Sequence, residues 1–319
     1  MKPCGQRAAR AIAVVALACV PAFMPAYAAS FDCAKAATRI EKSICADPSL
    51  GKLDADIAAA YVAAGTDLDA AMRQRLLRSQ RDWLAHRQAG KKLAEDMKSR
   101  LALLHATRTT IDGVAFLKLA DASRPMFVLG TAPGAAAYDD WADGVWSDAH
   151  GDTSYEDARK AREQCAAHAA DDAADDCVIE SQTREYQTSV PAPGMVSVRE
   201  WISRDVDAAH PMNEVHHHNW WLSRSGRIVA ADMFAGEAYK AAIARALRAG
   251  VRRQCDVTLE GAADGIDEVD SWGLSDKGMT LTEDGESVQC GRGEIDVDIP
   301  WRDFGVALRP EFAAALHLR

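Results

Sequence analysis

The chain has 319 residues, of which 48% are hydrophobic and 26% charged, and its formal net charge is −10. An acid excess of this size argues against a nucleic-acid binder, which needs a basic footprint. The charge is unevenly shared. Residues 29–110 hold 14 Lys and Arg against 10 Asp and Glu, whereas residues 111–319 hold 20 against 37. That change of sign places a domain boundary near residue 110 and makes the second part the one that steers basic partners.

The first 28 residues read as an export signal. Lys2, Arg7 and Arg10 precede an apolar run from Ala11 to Val20, and Ala26-Tyr27-Ala28 supplies a small-x-small step with cleavage expected after Ala28. The apolar run is too short to span a bilayer, and no later stretch is apolar enough to do so. Ala16-Leu17-Ala18 before Cys19 makes a poor lipid-attachment motif. The mature chain, at −13, is therefore expected in the periplasm or outside the cell. Cys33, Cys45, Cys165, Cys177, Cys255 and Cys290 remain after the signal. An even number in an oxidising compartment predicts disulfides, and chain order favours Cys33 with Cys45, Cys165 with Cys177, and Cys255 with Cys290. No CxxC occurs, so neither a redox-active pair nor a zinc ribbon is supported.

Residues 29–110 read as helical. Thr38 and Glu41 form a capping box, and Asp47-Pro48 starts the next helix, with Leu50, Leu53, Ile57 and Tyr61 on its apolar side. A single longer helix is expected from about Leu68 to Leu104, with Met72, Leu76, Trp83, Leu84, Met97 and Leu101 as its stripe. The stretch FDCAKAATRIEKSICADPSLGKLDADIAAAY, followed by LRSQRDWLAHR, resembles the LprI-type lysozyme inhibitor N-terminal domain over about residues 31–105. The resemblance implies a small disulfide-stapled helical domain that binds lysozyme. The chain departs from that family's pattern after the tryptophan helix, where two further cysteines are missing and Ala89 and Gly90 stand instead.

From Val114 the period shortens. VAFLKLA and PMFVLG predict strands. AAYDDWADGVWSDAHGD predicts a turn-rich acidic loop. Asp139, Asp143 and Gly144 fall at EF-hand positions, but Trp141 and His150 stand where calcium ligands belong. TSYEDARKAREQCAAHAADDAADDC predicts a helix. EYQTSVPAP and MVSVREWISR predict strands, and WWLSRSGRIVAADMF a strand, a Ser-Gly turn and a second strand. A helix is expected from about Gly236 to Ala249, then strands in WGLSDKGMTLTEDG and EIDVDIPWRDF. Strand runs around two helices make residues 111–319 an α+β domain, and the whole chain α+β. AAHPMNEVHHHNWWLSRSGRIVAADMF and the last strands resemble the RsiV-type (DUF3298-like) ectodomain family over about residues 195–308, with a weaker lead-in from 112. That resemblance implies lysozyme sensing by protein binding, here without the membrane helix such a sensor uses.

HPMNEVHHHNWW, residues 210–221, concentrates histidine. In a strand His216 and His218 share one face and His217 takes the other. His216, His218 and His210 or Glu214 could hold zinc or copper. The simpler expectation is one face packed inward with Trp220 and the other solvated, with no metal and no cofactor. No G-x-S-x-G, P-loop or HExxH occurs, and no carboxylate pair is marked by spacing for acid/base work.

The two resemblances together imply a non-catalytic exported protein that binds lysozyme, or another basic envelope protein, and inhibits it. Trp141 and Trp146 are the expected aromatic anchors, with Asp139, Asp140, Asp143 and Asp148 beside them. The competing expectations are a metal-binding envelope protein centred on His216 and His218, and an envelope scaffold for another basic protein or for cell-wall fragments.

Overall fold

The computed structural model describes residues 29–87, 90, 92–147, 155–168, 181–205, 212–224, 226–256, 269–284 and 293–318. The expected signal, residues 1–28, lies outside them. Among the described residues no helix is long and apolar enough to cross a membrane.

The helical part begins at a Cys33–Cys45 disulfide. Helix α1, Arg39–Ala46, opens on the expected capping box: the Glu41 amide donates to Thr38 Oγ1 at 3.1 Å and the Thr38 amide donates to Glu41 Oε2 at 2.8 Å. Helix α2, Pro48–Ala64, is capped by Asp47, which accepts from the Ser49 amide at 2.8 Å. The single long helix expected next is two helices, α3 at Ala70–His86 and α4 at Leu93–His105. Arg87 leaves the helical conformation and Gly90 has φ +95°, a value that a residue with a Cβ resists. The break folds α4 back, so that Trp83 Nε1 donates to Asp96 and Arg100 reaches Gln80 and Ser79 on α3.

The helical core of Ile44, Ile57, Met72, Leu76, Leu93, Met97 and Leu104 continues into Leu117, Leu119, Phe127 and Ala142. The connection is a small antiparallel sheet of β1 (Arg108–Ile111), β2 (Val114–Leu117) and β3 (Phe127–Val128). Asp112 and Gly113, both at positive φ, make the tight turn between β1 and β2.

Helix α5, Ala135–Ser147, occupies most of the stretch expected to be an acidic loop, whose last residues, 148–152, lie outside the described ones. Its buried residues, Ala135, Tyr138, Asp139 and Ala142, recur at helical spacing. Asp139 and Asp143, which looked like turn residues, are instead ion-paired to α3, as described below. Gly134 before it is fixed by space: a Cβ there would meet the Arg224 carbonyl at 2.5 Å.

Helix α6, Tyr155–His168, precedes a second antiparallel sheet of β4 (Ser181–Ser189), β5 (Met195–Asp205) and β6 (Met212–Trp221), in that order. The second strand expected after the Ser-Gly turn is reduced to one bridge, Trp220 to Arg227, followed by the short helix α7, Ala230–Met233. Asp232 accepts from the Val229 amide at 3.0 Å and so starts a helical turn where a strand was expected. Helix α8, Ala238–Cys255, packs on a third antiparallel sheet of β7 (Trp272–Leu274), β8 (Gly278–Asp284) and β9 (Glu294–Pro300). Gly250 allows the close approach, since a Cβ would lie 2.6 Å from Val297 Cγ2. A last helix, α9, covers Pro310–Ala315, with Phe312 fully buried against Trp221 and Trp301. The chain is α+β: helices first, then sheets layered with helices.

The two faces of the second sheet set up everything that follows. Val196, Val198 and Trp220 project to one side and pack with Phe116, Val128 and Tyr138. Ser197, Arg199, His217 and Asn219 project to the other and meet the third sheet.

Candidate functional site

Of the residues expected to form an acidic binding patch, all but Asp148 lie on α5, and most of those turn inward. Asp139 is buried. Its Oδ1 accepts from the Val128 amide at 2.9 Å and its Oδ2 lies 3.3 Å from Arg75 Nη1. Burial pushes its carboxyl up to about 6, against the opposing pull of the Val128 amide and Arg75. Asp143, one turn on, takes Arg75 at 2.6 Å and Arg78 at 3.1 Å. Trp141 packs on His218 with ring centroids 4.6 Å apart and the planes tilted by 41°, and lies within 6.4 Å of Tyr138, Tyr186 and Trp220. Trp146 packs on Phe127 and donates to the Pro125 carbonyl at 3.1 Å. Asp140 faces solvent, and Asp148 lies outside the described residues. These side chains thus tie α5 to α3 and to the second sheet.

The histidine strand obeys the alternation expected of it, but both of its faces are covered towards its end. His218 lies under Trp141. Arg227 Nη2 donates to its Nδ1 at 2.8 Å, and because a guanidinium has no acceptor, the ring proton sits on Nε2 and is donated to Glu200 Oε2 at 2.7 Å. Tyr186 donates to the other Glu200 oxygen at 2.7 Å. Burial raises the Glu200 carboxyl, but the bonds from His218 and Tyr186 outweigh it and leave the group below its ordinary value. Burial pushes the Tyr186 phenol up. His216 is more open, 3.6 Å from Glu214. His210 lies outside the described residues. Both ring nitrogens of His218 are therefore engaged by protein groups, and among the described residues no three His, Cys, Asp or Glu side chains gather as metal ligands.

His217, on the face expected to be solvated, is buried at 4% exposure. The reason is the third sheet, which lies over it. Thr282 donates to Asp296 at 2.7 Å, so it accepts from His217 Nε2 at 3.0 Å. Burial, reinforced by Arg199, pushes His217 down to about 4. Its ring lies against Gly273, where a Cβ would stand 2.7 Å from Cε1.

Around this pair the two sheets enclose a polar cleft. One cavity of about 270 Å³ is lined by Gln187, Arg199, His217, Gly273, Thr280 and Asp298 among others. A second, of about 570 Å³, adjoins it through Gln187, Arg199 and Asp296 and is bordered by Trp201 and Glu185. Arg199 pairs with Asp296 across the gap at 2.7 Å. Apart from His217, none of these residues stood out in the sequence. The available signal was the alternation in MVSVREWISR and EIDVDIP, which placed Arg199, Trp201, Asp296 and Asp298 each on one face, but not opposite one another.

Of the cysteines, Cys33 and Cys45 are joined. Cys165 and Cys255 are also disulfide-bonded, while Cys177 and Cys290 lie outside the described residues.

The disulfide, the capped α1 and α2 and the folded-back α3 and α4 form the segment that comparison with known families picks out. Residues 33–121 match the family model Lysozyme inhibitor LprI. The LprI segment thus takes in all four first helices and runs into the small sheet. Among solved structures, a DUF3298-family protein of Bacteroides fragilis is similar at 16% identity and a TM-score of 0.37, over 43% of this chain and 58% of that one. A DUF3298-family protein of Pseudomonas aeruginosa is similar at 14% identity and a TM-score of 0.33, over 42% of this chain and 64% of that one. This chain therefore spans less than two thirds of either. No curated protein matches it.

Proposed function

We propose that this protein is exported, binds lysozyme and inhibits it by occupying the enzyme, without chemistry of its own. The observation that carries this reading is the LprI match over residues 33–121. The Cys33–Cys45 disulfide fits an oxidising compartment. The charge balance adds support: residues 111–319 carry 37 acidic against 20 basic side chains, a field that speeds the approach of a strongly basic enzyme. Affinity itself needs a desolvated contact on the order of 1,600 Å² rather than charge alone.

The test is a cell-wall turbidity assay with the purified full chain and lysozyme, run beside a pull-down at moderate salt. Slowed clearing together with salt-resistant capture supports inhibition by binding. Clearing at the full rate in molar excess of the protein overturns it, as does a capture that vanishes with modest salt, because screening removes only nonspecific attraction between exposed charges.

A further inference from the structure

We infer that the solvent face of α8 is a docking surface for an anionic phospholipid bilayer. The inference does not rest on the lysozyme reading.

Helix α8 is charged against the trend of the chain around it. Residues 111–319 carry 37 acidic against 20 basic side chains, yet the 18 residues of Ala238–Cys255 hold Lys240, Arg245, Arg248, Arg252 and Arg253 and no Asp or Glu. The buried side of the helix is Tyr239, Ala242, Ile243, Leu247 and Val251. Arg245, Arg248 and Arg252, three and four positions apart, share the opposite side, and Arg253 borders it. All four arginines are exposed, and none has an ion pair or a side-chain hydrogen bond among the described residues. Arg252 and Arg253 have a reason within the fold, because cations in a last turn complement the helix dipole. Arg245 and Arg248, in mid-helix, have none. Like charges at these spacings repel and weaken a helix, and a chain rich in acids supplies them with no counter-charge. A repulsion kept on a solvent face is accounted for by an anion that arrives from outside.

The form of the face selects the anion. From Arg245 to Arg252 the row runs about 10 Å along the helix axis. The exposed positions among the guanidinium groups are alanines, Ala241 and Ala249, with no aromatic or large apolar side chain to grip a peptide or a sugar ring. A straight row of guanidinium groups on a smooth face matches a plane of phosphates, each of which a guanidinium can take through two parallel N–H bonds. The third sheet turns its acids away from this face. Val297 of β9 meets α8 at Gly250, whereas Asp296 pairs with Arg199 of the second sheet and Asp298 lines the cleft. Exposed charges beyond a Debye length, about 8 Å at physiological ionic strength, are largely screened. The net charge of −10 therefore does not cancel the local attraction. With only alanines beside the arginines the contact is electrostatic and stays at the headgroups.

The probes are vesicles of equal parts phosphatidylcholine and phosphatidylglycerol, sedimented with the full chain at physiological salt and with no lysozyme present. Vesicles of phosphatidylcholine alone and a polyglutamate peptide are the comparisons. Binding to the anionic vesicles and not to the neutral ones is expected. Replacing both Arg245→Gln and Arg248→Gln is expected to weaken it about twentyfold, since each basic side chain near such a surface contributes about fivefold. The charge-keeping pair Arg245→Lys and Arg248→Lys should retain most of the binding. Arg302→Gln removes an arginine whose side chain is 84% exposed elsewhere and should leave binding unchanged. Circular dichroism should be the same for all, because glutamine and lysine form helix about as well as arginine. Absence of binding to the anionic vesicles overturns the inference, as does equal binding to the neutral ones. So does full binding by the glutamine pair, or an equal loss in Arg302→Gln. Binding of polyglutamate without binding of vesicles overturns it in favour of an acidic protein partner. Because the enzyme is absent from this experiment, its result and that of the turbidity assay fail separately.

Discussion

Arg75 on α3 holds Asp143 on α5 at 2.6 Å and Asp139 at 3.3 Å, with its guanidinium 4.6 Å from the Phe127 ring. The contact joins residues more than sixty positions apart. It lies where the basic first part of the chain meets the acidic second part; the Arg75–Asp139 half is buried and Asp143 is partly exposed.

Arg75→Met is expected to destabilise the fold by about 3 kcal/mol, because it strands a buried carboxylate at Asp139. The loss should shrink as pH falls, since Asp139 already titrates near 6 and a neutral carboxyl needs no cation. Urea unfolding at two pH values measures both effects. A loss that does not change with pH would show that Asp139 is not the stranded group.

His217 sets an acid limit. Its folded pKa of about 4 lies below the ordinary 6.5, so between those values the unfolded chain takes up a proton that the folded chain refuses. Stability therefore falls as pH drops through that window and is unaffected by this residue above it. The loss is expected to be about 2 kcal/mol between neutrality and about pH 5. His217→Gln should flatten that part of the stability–pH curve, whatever its effect at neutrality; an unchanged slope would contradict the assignment.

The Cys33–Cys45 bridge closes a loop with a sequence separation of 12. Replacing both cysteines by alanine is expected to cost about 3 kcal/mol, through the entropy returned to the unfolded chain. Thermal unfolding with and without reductant should separate wild type from the double variant, and reductant should not further affect the latter's α1–α2 region.

Trp141 and Asp140 are neighbours in sequence with opposite expected outcomes. Trp141→Ala removes an indole packed on His218, Tyr138, Tyr186 and Trp220 and should cost about 3 kcal/mol. Asp140→Ala, on the solvent face, should stay within about 0.5 kcal/mol. Lysozyme capture by the two variants at a temperature where both are folded then reports whether either touches the partner.

The capping box at Thr38 and Glu41, the Asp47-Pro48 start, the LprI resemblance and most strands were legible because each rests on neighbours within a few residues. A capping side chain satisfies an amide three positions away, and strand alternation repeats every second residue. Gly90 sits inside a helical stripe strong enough to hide the break, so one helix was expected where there are two. Asp139 and Asp143 have the composition of a turn, and only the presence of Arg75 opposite makes them helix residues.

The sequence by itself therefore determined the helical disulfide-stapled beginning, the α+β class, and which strand residues share a face. Tertiary structure alone decided which faces meet. His217 became buried because a sheet some sixty-five residues later in the chain lies over it, and Arg199 met Asp296 across a gap that no local pattern records. Burial and pairing at that distance depend on how layers stack, and layer stacking is a property of the folded whole rather than of any short stretch.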